Sequence, residues 1–233
     1  MRDLVYGTGE VRAPRPGRKD LLLDLYRQRG LRDRTPAVVL LHGGAWKSGN
    51  RRMPHYMPDL CRELASRGWI CASIEYRLLG DDPPGSEESA LDRAILAAVE
   101  DAGKAVEWLT ADGGRHGVDP RRIAVGGASA GAGTALFLAY GERGRGLPIR
   151  AALDFWGGMM SKTEWMKRGG PPILILHGTG DEITDFSVAE TLAARARKVG
   201  VPHELVRVQG GRHNLPLAPH YGRIDAFLRQ HLK

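Results

Sequence analysis

Ser129 is the residue in this chain with the clearest claim to chemistry. It stands in Gly127-Ala128-Ser129-Ala130-Gly131, between the β-branched run Ile123-Ala124-Val125 and an apolar stretch that continues to Tyr140. That order predicts a strand, a sharp turn and a helix. A serine at such a tip sits in strained backbone, and the residues two before and two after it must be tiny where strand and helix crowd together. Gly127 and Gly131 fill those places and complete a Gly-x-Ser-x-Gly nucleophile elbow. The helix that follows aims free N–H groups and a positive dipole end at the serine, where they favour a negative oxygen. The chemistry implied is acyl transfer. The motif alone is a weak signal in a chain with 31 glycines, so the elements around it must decide.

A nucleophilic serine needs a base, an acid to orient that base and donors for the oxyanion, all brought in by other elements. Short apolar strands are predicted at 4–6, 21–26, 37–41, 69–74, 123–126, 151–155, 173–176 and 204–208, with helices at 57–67, 89–109, after the elbow, at 186–199 and at 221–232. The alternation argues for an α/β fold: a mostly parallel eight-stranded sheet with helices on both faces and right-handed crossovers. The first two strands, separated by a loop rich in Pro, Gly and Arg, form an antiparallel edge. Residues 1–233 read as a single domain, without repeats or a dividing linker. Ligands of such sheets lie beyond the carboxyl ends of the strands.

Four loops at those ends carry the candidate residues. His42-Gly43-Gly44-Ala45-Trp46 follows the strand ending at Leu41. Its small residues let backbone N–H groups approach a developing oxyanion, and Gly44, Ala45 and Ala130 are the expected donors. His42 reads as a residue that shapes the loop; Trp46 either lines the substrate pocket or wedges the loop. Asp181, a turn beyond Leu176, is the expected acid; Glu182 and Asp185 are its rivals, with Asp185 better suited to capping the next helix. His213, on a glycine-hinged loop after Val208, is free to swing over Ser129 as general base. His55, His116, His203 and His231 fall where solvated surface residues are the default, and His220 begins the last helix.

The order Ser129, Asp181, His213 is that of the α/β-hydrolases. With Leu41-His-Gly-Gly-Ala-Trp46, Ile74-Glu-Tyr-Arg-Leu78, Asp119-Pro-Arg-Arg-Ile-Ala-Val-Gly-Gly-Ala-Ser-Ala-Gly131, His177-Gly-Thr-Gly-Asp181 and Gly211-Arg-His213, the chain resembles the esterase/lipase group of that fold. It is most similar to bacterial carboxylesterases related to hormone-sensitive lipase and to bifunctional feruloyl/acetyl-xylan esterases. The resemblance implies a serine carboxylesterase acting on small-molecule or carbohydrate esters, with those three residues as the triad, the 42–46 loop as oxyanion hole, and no metal or organic cofactor. Arylformamidases such as kynurenine formamidase share the His-Gly-Gly-x-Trp loop, which makes amide hydrolysis the alternative. Ala45 replaces a third glycine common in that loop, and Glu75 replaces an aspartate, with an ion pair to Arg77 expected. Only Trp156 to Pro172 occupies the place where family members often carry a helical cap, so the cap is minimal or absent. An open cleft is expected, with Trp156, Met159, Met160 and Trp165 near its rim. Trp46, Trp156 and Met159 are the expected substrate contacts.

Composition narrows the remaining classes. The net charge of +7 suits an anionic partner, yet the arginines of 12–18 and 27–34 are interspersed with Pro, Gly and acidic residues. No nucleic-acid-binding motif accompanies them, so a nucleic-acid partner is not expected. No apolar run approaches a membrane span. Cys61 and Cys71 lie among apolar neighbours and are expected to be buried free thiols in place of a disulfide or a metal site. The first residues, Met1-Arg2-Asp3-Leu4, lack the pattern of a secretory signal, which points to a cytoplasmic protein. The sequence leaves the oligomeric state and the natural ester open.

Overall fold

The strand Thr35–Leu41 alternates its side chains between two apolar interiors, and the rest of the molecule is layered accordingly. Ala37, Val39 and Leu41 belong to one buried cluster, Val38 and Leu40 to the other. Such double-sided burial requires cover on both faces of the sheet. The computed structural model describes residues 1–31 and 34–233; the polar connection expected from Arg27 to Pro36 lies outside the described residues at positions 32 and 33.

In chain order the elements are β1 (Leu4–Val11), β2 (Gly17–Tyr26), β3 (Thr35–Leu41), α1 (Tyr56–Ser66), β4 (Ile70–Ile74), α2 (Ala90–Ala111), β5 (Val118–Ala128), α3 (Ala130–Tyr140), β6 (Ile149–Phe155), β7 (Ile173–Gly178), α4 (Phe186–Val199), β8 (His203–Val208) and α5 (Tyr221–His231). They build one eight-stranded sheet in the order β1-β2-β4-β3-β5-β6-β7-β8. The β1–β2 and β2–β4 pairs are antiparallel, and every pair from β4 onward is parallel. This is the expected α/β-hydrolase sheet, with the antiparallel edge where the Pro/Gly/Arg loop placed it. Helices α1 and α5 cover one face through Leu60, Leu64, Phe227 and Leu228. Helices α2, α3 and α4 cover the other through Ala98, Val106, Leu136 and Leu192. Because β3, β5, β6 and β7 lie side by side and parallel, the loops after Leu41, Ala128, Phe155 and Gly178 emerge on one edge.

Two expectations are corrected. Cys61 and Cys71 are joined in a disulfide between α1 and β4, with their Cα atoms 5.1 Å apart. The packing of α1 over β4 brings the two thiols within bonding reach, a juxtaposition that spacing along the chain does not reveal. Glu75 pairs with Arg51 and not with Arg77, which is buried against Asp101 and Glu100 of α2.

Candidate active site

Ser129 adopts φ 53° and ψ −121° between the last residue of β5 and the first of α3. Its N–H donates to the Phe155 carbonyl at 2.9 Å, and its carbonyl accepts from the Gly133 N–H at 3.0 Å. The two flanking glycines are sterically required. A Cβ on Gly127 would stand 2.6 Å from the Leu41 oxygen, and one on Gly131 would stand 2.3 Å from that oxygen and 2.4 Å from the carbonyl of His42. A methyl at either place would push the elbow off the loop that follows β3.

The three side chains expected to act together meet at this tip. His213 Nε2 lies 3.0 Å from Ser129 Oγ, and His213 Nδ1 lies 2.8 Å and 3.0 Å from the two oxygens of Asp181. With the proton on Nδ1 donated to the carboxylate, Nε2 is left to accept from the serine hydroxyl. The loops that carry the acid and the base are tied to each other. The Gly180 N–H donates to the Gly211 carbonyl at 2.9 Å, and the Gly210 N–H donates to Thr179 Oγ1 at 2.8 Å. Burial pushes the Asp181 carboxyl up, but the N–H groups of Thr184 and Ile183 and the imidazole of His213 outweigh it, and the pKa falls below the usual carboxylate value. Of its rivals, Asp185 caps α4 by accepting from the Ser187 N–H, and Glu182 is exposed and paired with Arg212.

The loop after β3 turns through three consecutive left-handed residues: Gly44 at φ 122°, Ala45 at 53° and Trp46 at 56°. The Gly44 carbonyl closes the turn by accepting from Lys47 and Ser48. Ala130, the first residue of α3, contributes one of the N–H groups that a helix start leaves without an internal acceptor. His42 is structural. Its Nδ1–H donates to the Gly43 carbonyl at 2.8 Å, its ring stacks on Tyr76, and burial holds its pKa down to about 4.

The expected substrate contacts divide. Trp46 wedges the loop onto α3, its indole N–H donating to Thr134 Oγ1 at 2.9 Å, while the ring stays partly exposed. Trp156 and Met159 are fully buried and do not reach the rim. Left-handed turns at Trp156, φ 43°, and Gly158, φ 141°, fold the chain back against the sheet. Trp156 then packs edge-on against Tyr56 and backs the imidazole of His213, and Met159 joins the core under α3. Met160 is exposed and Trp165 is half-buried against Phe137.

Two residues that sequence reading passed over stand close to the chemistry. The Tyr56 hydroxyl and the Cβ of Ser129 both crowd the position a Cβ on Gly43 would take, at 2.8 Å and 3.3 Å. His177 lies 3.2 Å from Asp181 Oδ2. Its signal was the i, i+4 spacing from Asp181 at the end of an apolar strand. A cavity of about 1010 Å³ lies beside α2 and the end of α3, between Leu96, Phe137, Tyr140 and Trp165, and none of Ser129, Asp181 and His213 lines it.

The profile of the BD-FAE family matches residues 23–155, from β2 through the elbow to the end of β6. The chain belongs to the BD-FAE family. Among curated proteins it is 32% identical over 231 residues to esterase LipQ of Mycobacterium tuberculosis, covering 79% of this chain and 52% of that protein. It is 26% identical to esterase LipC of the same organism, covering 85% of this chain and 56% of that one. The chain spans about half the length of the curated relatives it matches. Among solved structures, the thermophilic esterase Est2 of Thermogutta terrifontis with propionate bound superposes with a TM-score of 0.81 at 22% identity, over 98% of this chain and 93% of that one. That likeness shows the α/β-hydrolase fold.

Proposed function

We propose that the chain is a serine carboxylesterase that hydrolyses short-chain acyl or aryl esters through an acyl-enzyme on Ser129. The observation that carries this reading is the 3.0 Å approach of His213 Nε2 to Ser129 Oγ at the tip of the elbow, with Asp181 on the other ring nitrogen. His213 takes the Oγ proton as Oγ attacks the ester carbonyl. The oxyanion rests on the N–H groups of Gly44, Ala45 and Ala130, each donor of this kind being worth about 2.7–4 kcal/mol in the transition state. Collapse expels the alcohol, which leaves with the proton from His213. Water then gives a proton to His213 and attacks the acyl carbon, and release of the acid restores the serine.

The names of the curated relatives, esterases LipC and LipQ, support the ester reading. Acetyl or feruloyl esters of carbohydrates are the substrate class we favour, because the β6–β7 connection, with a single short 3₁₀ turn, leaves room for a bulky alcohol. The test is hydrolysis of p-nitrophenyl acetate together with labelling by a fluorophosphonate. Ser129→Ala is expected to abolish labelling and lower kcat by about 10⁴-fold or more. Labelling that persists in Ser129→Ala would overturn the assignment.

A further inference from the structure

Two imidazoles approach Asp181, and one of them, His213, hydrogen-bonds it. His213 Nδ1 lies 2.8 Å from Oδ2, and Nε2 of the fully buried His177 lies 3.2 Å from the same oxygen. His177 Nε2 also lies 2.8 Å from the Thr184 carbonyl. A carbonyl only accepts, so this nitrogen carries a proton and donates it to Thr184, with Asp181 Oδ2 close by at 3.2 Å. Thr184 closes the loop from the other side, its own N–H donating to Asp181 Oδ1 at 2.9 Å.

A second carboxyl group lies alongside. Asp154 pairs in register with Ile175 on β7, so Asp154 and His177 project from the same face of neighbouring strands. Asp154 is fully buried. Its Oδ1 accepts from the Gly157 N–H at 3.0 Å, whereas its Oδ2 and His177 Nδ1 are buried with no hydrogen-bond partner among the described residues. Burial pushes the Asp154 carboxyl up to about 6, and His177 and the Gly157 N–H hold it from rising further. The other charged groups around His177 are exposed: Asp185 at the start of α4, and Arg207, its register partner on β8, which is paired with Glu190.

We propose that His177 is a positioning residue for the triad acid: its buried Nε2–H, donated to the Thr184 carbonyl, fixes the loop whose Thr184 N–H in turn holds Asp181 Oδ1. The inference rests on the hydrolase reading given above.

Wild type and Ser129→Ala on p-nitrophenyl acetate judge the hydrolase reading by itself. His177→Leu is then expected to lower kcat about tenfold or more with KM within about twofold. His177→Gln retains a donor for the Thr184 carbonyl and is expected to recover most of kcat. A folded His177→Leu with unchanged kcat would sink the proposal. Nitrogen NMR of the wild type labelled with ¹⁵N-histidine reads the same claim without relying on a variant's folding or on activity. At neutral pH the His177 signals are expected to show the proton on Nε2, where the Thr184 carbonyl accepts it. An unprotonated Nε2 overturns the assignment.

Discussion

Ala45 and Trp46 stand one after the other in left-handed backbone geometry, each with a side chain that disfavours it. A non-glycine residue there costs about 1–2 kcal/mol. The loop is held by the Trp46 indole on Thr134 and by the Gly44 carbonyl, which accepts from Lys47 and Ser48. Ala45→Gly is therefore expected to raise stability by about 0.5–1 kcal/mol, since relief of strain outweighs the added freedom of the unfolded chain. Thermal unfolding should register a Tm about 1–3 °C higher, with esterase activity retained because the N–H survives. Residues at this scale were legible wherever chemistry dictates type. Ser129, Asp181 and His213 each terminate a strand or follow it by a glycine turn, and the geometry brings them together. Trp156 and Met159 were misread because a one-residue left-handed turn sends a large side chain inward, and nothing in a sequence marks a tryptophan as adopting one.

Among the elements, α1 is pinned to the sheet by more than packing. The Cys61–Cys71 bridge closes a span of 10 residues between α1 and β4, which constrains the unfolded chain by about 2–3 kcal/mol. Cys61→Ala with Cys71→Ala is expected to lose about that much in denaturant unfolding, with catalysis little changed because neither residue touches the site. At the start of β5, Asp119 accepts from the Arg121 N–H at 3.0 Å and Arg122 Nε at 2.9 Å. Burial opposes its ionisation, yet these donors and the charges of Arg122 and Arg34 leave its pKa below the ordinary 3.8. A depressed carboxylate stabilises the fold above its unfolded value and loses that contribution as pH falls through the folded one. Asp119→Asn should therefore cost about 1–3 kcal/mol at neutral pH, and urea unfolding should show the gap to wild type closing in acid. Element order and type were legible because apolar runs alternate with amphipathic ones. The ends of β1 and β5 were not: Leu4–Val11 and Val118–Ala128 extend through polar and proline-containing stretches that only pairing with neighbouring strands makes extended.

For the molecule as a whole, the connection from β6 to β7 sets what reaches the serine. It contains a single 3₁₀ turn, Thr163–Trp165, and its large apolar residues Trp156, Met159 and Met166 are buried, leaving Met160 exposed. No helical cap stands over Ser129 among the described residues. Long acyl chains find little apolar wall, and each methylene left in water forfeits about 0.8 kcal/mol. Initial rates are expected to fall from acetate and butyrate p-nitrophenyl esters to the decanoate, and triolein should be a poorer substrate than any of them; faster cleavage of triolein would contradict the open site.

The parallel arrangement also bears on what a shortened chain could do. His213 follows β8, the strand at one margin of the sheet, and its hydroxyl partner lies 84 residues earlier. On the hydrolase reading, a polypeptide cut short before β8 would therefore keep the elbow serine but lack the imidazole that takes its proton, and would be expected to be inert.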